Sequence, residues 1–167
     1  MERDYEKIAR GILRNAAQKE PPTDLGRVLA YLRIHHERPW HLKQDVWESL
    51  GRPARQRTRF QGQAQRATAK SRWALAHEIA HHVLHSSEPH GGGNSWQTHE
   101  LEYEADLLTA ALLIPTALLK RSIKKLEKTH EHVDVEELAV IYGVGRQEME
   151  KRLRQLDLLK AEVFQRM

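Results

Sequence analysis

The sequence contains no cysteine, which excludes disulfide bonds and zinc sites built from thiolates. Aromatic residues make up only 6% of the 167 positions, so a stacking surface for single-stranded nucleic acid is poorly supported. The longest hydrophobic run, residues 107–114, is interrupted by Thr109 and is far too short to cross a bilayer. Residues 1–6 are charged and lack the apolar core of a signal peptide. We therefore expect a cytoplasmic protein with no membrane contact, built as one ordinary domain with at most a small appendage.

Acidic residues are also missing from one long segment, between Glu48 and Glu78. The same segment contains seven basic residues, namely Arg52, Arg55, Arg57, Arg59, Arg66, Lys70 and Arg72. A solvated loop fits this pattern as well as a contact patch for nucleic acid or an acidic partner does. The run of charge alone does not choose between these two interpretations.

The most informative residues present are 77–81, which have the form H-E-x-x-H inside an apolar, helix-forming stretch. On a helix, His77 and His81 lie on one face and can bind the same metal ion. Glu78 can then accept a proton from a water molecule on that ion, which is the arrangement of metallopeptidases. Leu84 and Ser87 stand where the metzincin pattern has a glycine and a third histidine, so that pattern is excluded.

A catalytic zinc site needs a third protein ligand, and Glu102 is the candidate for it. Asp106 follows Glu102 by four residues on a predicted helix, so both carboxylates share a face. Asp106 is predicted to accept the N–H of a ligand histidine, which fixes the tautomer of that histidine. Glu104 points to another side of the helix and ranks lower as a ligand. The sequence does not decide which of His85, His99, Tyr103 and Tyr142 would stabilise an oxyanion.

The order of apolar stretches and breakers predicts a predominantly helical α+β protein. Helices are expected over residues 5–18, after a cap at Thr23 or Asp24, over about 72–85, after a cap at Thr98, and beyond Pro115. A small strand region is best placed at residues 40–47 and 57–61. We expect the metal-binding core to occupy residues 1–128.

Residues 129–167 are predicted to form a separate helical segment of helix-turn-helix type. Residues 135–141 and 147–159 are its helices, with Gly143 in the turn. Its basic residues Arg146, Lys151 and Arg152 are candidate contacts to nucleic acid or to a partner. A helical hairpin packed on the core explains the same pattern, and acidic residues on the second helix weaken the case for DNA.

Residues 72–85 read RWALAHEIAHHVLH, and residues 102–115 read EYEADLLTAALLIP. The two stretches together resemble the ImmA/IrrE family of zinc metallopeptidases, and residues 138–159 look like the helical segment that follows the family's peptidase core. The resemblance implies a compact zincin-like core and a cytoplasmic location. It also implies one Zn²⁺ per chain, bound by His77, His81 and Glu102, with Glu78 as the base.

The resemblance further implies a protein substrate, a helix-turn-helix transcriptional repressor whose cleavage releases silenced phage, mobile-element or stress genes. Two other functions fit the residues. The zinc fold could be a scaffold for a DNA-binding regulator, or it could sequester a repressor without cutting it. The intact Glu78 favours hydrolysis, because a scaffold has no need of a base beside its metal.

Overall fold

The computed structural model describes residues 4–34, 69–85, 95–128 and 133–159, with side chains described from residue 99 onward in the third range. These ranges contain seven helices and no strand. The helices are α1 (Tyr5–Asn15), α2 (Leu25–Tyr31), α3 (Ala69–His85), α4 (Ser95–Leu113), α5 (Thr116–Leu126), α6 (Val135–Tyr142) and α7 (Arg146–Gln155). The prediction of a predominantly helical protein is confirmed. The strands predicted at residues 40–47 and 57–61 lie outside the described residues, so the α+β class and the zincin-like core stay predictions.

Helix starts follow the capping residues that the sequence offers. The Asp24 carboxylate accepts a hydrogen bond from the backbone N–H of Arg27 at 3.1 Å, which confirms the predicted cap of α2. Pro115 precedes the first turn of α5, where its missing N–H leaves no intrahelical bond unmade. The predicted cap at Thr98 is wrong, since α4 begins at Ser95. No glycine or proline separates Ser95 from Thr98, so nothing prevents the helix from starting earlier.

The core forms where α3 and α1 both pack on α4. On α4 the buried stripe contains Ala105, Leu108 and Leu112, as its spacing predicts. On α3 the buried residues include Ala76 and Ala80, which are small enough to let the two helices approach closely. The histidines at positions 77 and 81 follow these alanines directly. They therefore lie at the edge of the α3–α4 interface.

The C-terminal helices form the predicted helix, turn and helix. Gly143 ends α6 in the left-handed conformation at φ 62°, and α7 begins at Arg146. Leu138, Val144 and Met149 are buried as predicted, and they belong to the same hydrophobic cluster as the core of the other helices. The division into domains at residue 128 and the helix-turn-helix function stay predictions. None of the described helices is both long and apolar enough to span a membrane.

A buried arginine at the start of α3 connects two loops. Arg72 donates from Nε to the carbonyl oxygen of Gly143 at 3.1 Å and from Nη2 to that of Thr23 at 2.8 Å. Burial lowers the pKa of Arg72, and the negative charge of Asp24 opposes that shift. A Cβ at position 143 would lie 2.8 Å from the Arg72 Nε atom. Glycine is therefore required there both by φ and by the guanidinium group.

A second buried arginine corrects one prediction made from the sequence. Arg152 is only 5% exposed, so it is not on the basic surface where a contact to nucleic acid was expected. Its Nε donates to the carbonyl oxygen of Ile114 at 3.2 Å, and its Nη2 pairs with the Glu6 carboxylate and the Thr116 hydroxyl. The physical reason is that these acceptors satisfy the charge inside the protein.

Candidate metal centre

His77 and His81 on α3 and Glu102 on α4 bring their ligand atoms together. The Nε2 atoms of the two histidines are 3.0 Å apart. Glu102 places Oε2 3.1 Å from His77 Nε2 and Oε1 3.2 Å from His81 Nε2. The α3–α4 packing creates this convergence, because it sets two ligands on one helix against a third on its neighbour. All three residues predicted as metal ligands thus lie in one group.

The chemistry of this group fits a zinc ion. Two imidazole nitrogens and one carboxylate are a ligand set of catalytic zinc sites, which leave a fourth position open. Zn–N distances of about 2.0–2.1 Å in a tetrahedron separate two ligand atoms by roughly 3.3 Å. The observed separations of 3.0–3.2 Å are close to this value. Ring nitrogens that face each other repel through their lone pairs unless a proton or a shared cation lies between them.

Asp106 contacts the side of the His77 ring that faces away from the ligand group. Its Oδ1 accepts from His77 Nδ1 at 3.2 Å, which leaves Nε2 as the nitrogen directed at the metal position. Burial of the imidazole disfavours its charged form, but the hydrogen bonds with Asp106 and Glu102 outweigh burial and raise the pKa of His77. The hydrogen bond with His77 in turn lowers the pKa of Asp106. Asp106 therefore remains a carboxylate acceptor at neutral pH.

Lys151 brings α7 to the same carboxylate. Its Nζ atom is 3.6 Å from Asp106 Oδ2, and its side chain is 59% exposed. The positive charge of Lys151 is a further cause of the lowered pKa of Asp106. Lys151 was predicted only as a candidate contact to nucleic acid or a partner. Its sequence neighbourhood gives no sign of Asp106, because the two residues lie on helices far apart in the chain.

His81 has a different support, which sequence reasoning missed. His81 Nδ1 is 3.1 Å from Nδ1 of His85, one turn further along α3. His85 Nε2 is 2.9 Å from Glu104 Oε2, and the Tyr5 hydroxyl donates to Glu104 Oε1 at 2.8 Å. Glu104 is not in the ligand group, in agreement with its lower rank. The spacing of four residues between His81 and His85 was the available signal.

The remaining predicted site residues differ in position. Glu78 follows His77 on α3 and is half-buried. Tyr103 is 63% exposed on α4, next to the candidate ligand Glu102. Tyr142 is fully buried with its hydroxyl 3.1 Å from that of Ser122 on α5, so its hydroxyl is engaged inside the fold. His99 and Arg146 lie on the exposed surface.

These observations define a helical protein with a candidate metal site of the H-E-x-x-H type and a glutamate from a second helix. Comparison of the sequence with family models agrees, since residues 63–154 match Peptidase_M78, described as the IrrE N-terminal-like domain. The match covers more than half of the chain, and the chain belongs to this family, a family of metallopeptidase type. No curated protein and no solved structure gives a significant match.

Proposed function

We propose that this protein is a zinc-dependent endopeptidase that hydrolyses a peptide bond in a protein substrate. The observation that supports the proposal is the convergence of His77, His81 and Glu102, with Glu78 directly after the first ligand. A zinc ion held by the three ligands supplies Lewis-acid chemistry, which lowers the pKa of water and polarises a carbonyl oxygen. Family membership supports the same reaction class.

In this proposal the residues of the chain divide the work. Glu78 accepts the proton of the attacking water and delivers it to the leaving amine. Asp106 holds His77 in the tautomer that leaves its Nε2 free for the metal. Glu102, which is more exposed than the two histidines, lies on the side of the site that faces solvent. A substrate can therefore approach the ligand group from the α4 side.

We propose a cytoplasmic helix-turn-helix transcriptional repressor as the substrate, so that cleavage relieves repression. This part of the proposal is supported by the resemblance of residues 72–85 and 102–115 to the ImmA/IrrE family. Binding to DNA has less support, because Arg152 is buried and Lys151 lies beside Asp106. Lys151 on α7 instead forms an ion pair at the edge of the site.

The test is Glu78→Gln, compared with Glu100→Gln on the exposed surface of α4. Purified protein loaded with zinc is mixed with a helix-turn-helix repressor encoded beside its gene, and cleavage is followed by mass spectrometry. We expect Glu78→Gln to lower the cleavage rate at least about 100-fold while zinc content and helicity stay unchanged. Glu100→Gln should cleave like the wild type. A stable complex with an intact repressor, with zinc bound, would instead identify a sequestering protein.

A further inference from the structure

The two ligand histidines are supported by different chemistry. His77 donates to a carboxylate, Asp106, whereas the Nδ1 atom of His81 faces the Nδ1 atom of another imidazole. That imidazole belongs to His85, which is 2% exposed and lies on the same face of α3. A histidine is an ambiguous support, because either ring nitrogen can carry the proton. The surroundings of His85 remove this ambiguity.

Once His81 binds a metal through Nε2, the contacts allow only one assignment of the ring protons. If His81 binds a metal through Nε2, its proton is on Nδ1, and that N–H donates to His85 Nδ1 at 3.1 Å. His85 Nδ1 is then an acceptor, so the proton of His85 is on Nε2. This N–H donates to Glu104 Oε2 at 2.9 Å. Each contact thus joins one donor to one acceptor, as the metal-bound state requires.

The last residue in this series of hydrogen bonds, Glu104, also contacts α1. The Tyr5 hydroxyl donates to Glu104 Oε1 at 2.8 Å, so the carboxylate accepts from His85 and Tyr5 at once. The side chain of Glu104 is 21% exposed and that of His85 is 3% exposed. Hydrogen bonds in such a shielded place are stronger than in water. The negative charge of Glu104 therefore acts on His81 through His85.

We propose that His85 is a positioning residue for the metal, which fixes the tautomer and orientation of His81 and connects it to the Glu104 carboxylate. The inference rests on the zinc site of the proposed function but does not depend on peptide hydrolysis. His85 then has the role toward His81 that Asp106 has toward His77. Partners of this kind change metal affinity by about 10–100-fold.

The first test measures zinc affinity of the full chain by competition with a chromophoric chelator. His85→Phe removes both hydrogen bonds while keeping a ring, and we expect its affinity to fall at least about tenfold, as in Asp106→Asn. His85→Gln retains an acceptor for His81 and a donor for Glu104, and it should recover most of the loss. His82→Phe is the matched control, because His82 is exposed on the same helix. Wild-type affinity in His85→Phe would refute the inference, and so would an equal loss in His85→Phe and His85→Gln.

The second test needs no substitution and uses ¹⁵N NMR of the imidazole rings in the zinc-loaded wild type. We expect the proton of His81 on Nδ1 and that of His85 on Nε2. A proton on Nδ1 of His85 would refute the inference while leaving the zinc site intact. A folded wild type that binds no zinc would overturn both the zinc site and the role of His85.

Discussion

Helix α3 contributes to two groups of polar residues that differ in how their donors and acceptors are paired. At its start, the guanidinium of Arg72 directs N–H donors at the carbonyl oxygens of Gly143 and Thr23. Further along, the Nε2 atoms of His77 and His81 face each other and the Glu102 carboxylate. Arginine cannot lose its proton in a protein, so the first group is complete as it stands. When Asp106 and His85 accept the Nδ1 protons of His77 and His81, the second group directs only lone pairs inward, and we propose that a metal cation completes it.

The difference separates stabilising polar groups from a binding site. Donors matched to acceptors contribute to the free energy of unfolding, whatever else is bound. Converging acceptors contribute mainly when the ion they suit is present. The pairing of donors and acceptors therefore indicates that the Arg72 group stabilises the fold and that the histidine group is a candidate binding site.

Among the variants that test this comparison, we expect the largest change in the free energy of unfolding from Arg72→Met. This substitution removes the charge but keeps an unbranched side chain. The carbonyl oxygens of Gly143 and Thr23 then lose a buried donor, and the free energy of unfolding should fall by about 3 kcal/mol. Urea denaturation measures it, with Arg27→Met on the exposed surface of α2 as the control. A fall below about 1 kcal/mol would show that Arg72 does not stabilise the fold as its contacts indicate.

The second-largest change in the free energy of unfolding is expected from zinc binding. At a zinc concentration 100 times its Kd, the free energy of unfolding should rise by about 2.7 kcal/mol, and a chelator should reverse the change. His81→Ala should lose this increment. The metal-free variant should be destabilised by only about 1 kcal/mol, the contribution of the single hydrogen bond from His81 Nδ1 to His85. Thermal unfolding with and without zinc measures both. If metal-free His81→Ala were destabilised as strongly as Arg72→Met, the distinction between the two groups would fail.

The smallest change, here in zinc affinity, is expected from Lys151→Met. The exposed Lys151 ammonium is 3.6 Å from Asp106 Oδ2, and such ion pairs contribute about 0–1 kcal/mol. Zinc affinity should therefore change by less than about fivefold. The chelator competition assay compares it with Lys124→Met, an exposed lysine on α5. A loss as large as that of Asp106→Asn would place Lys151 among the residues that hold the metal.

Local periodicity made much of the site predictable. His77 and His81 are four residues apart, as are Glu102 and Asp106, and helices place such pairs on one face. The helical segments and most of their breakers followed from the same rules. The two pairs come from separate helices, but the spacing within each helix is enough to show that the members of a pair share a face. Their convergence required only that α3 pack on α4.

Residues whose partners lie far away in the chain were not predictable. The sequence neighbours of Arg152 are those of an exposed basic residue. Its burial depends on an ion pair with Glu6, at the other end of the chain. The role of His85 depends on Glu104 and Tyr5, which come from two other helices. The small strand region falls on residues outside the described ranges. Periodicity reports on one helix at a time, whereas these contacts depend on tertiary packing.

Tyr5 and Lys151 have a consequence for where this protein can be shortened. Tyr5 contacts Glu104, which is linked to His81 through His85, and Lys151 contacts Asp106, which is hydrogen-bonded to His77. Tyr5 precedes the family segment 63–154 by many residues, and Lys151 lies close to its end. A fragment trimmed to that segment would keep every metal ligand but lose the hydroxyl that fixes Glu104. We therefore expect that a fragment must include both Tyr5 and Lys151 to bind zinc as the full chain does.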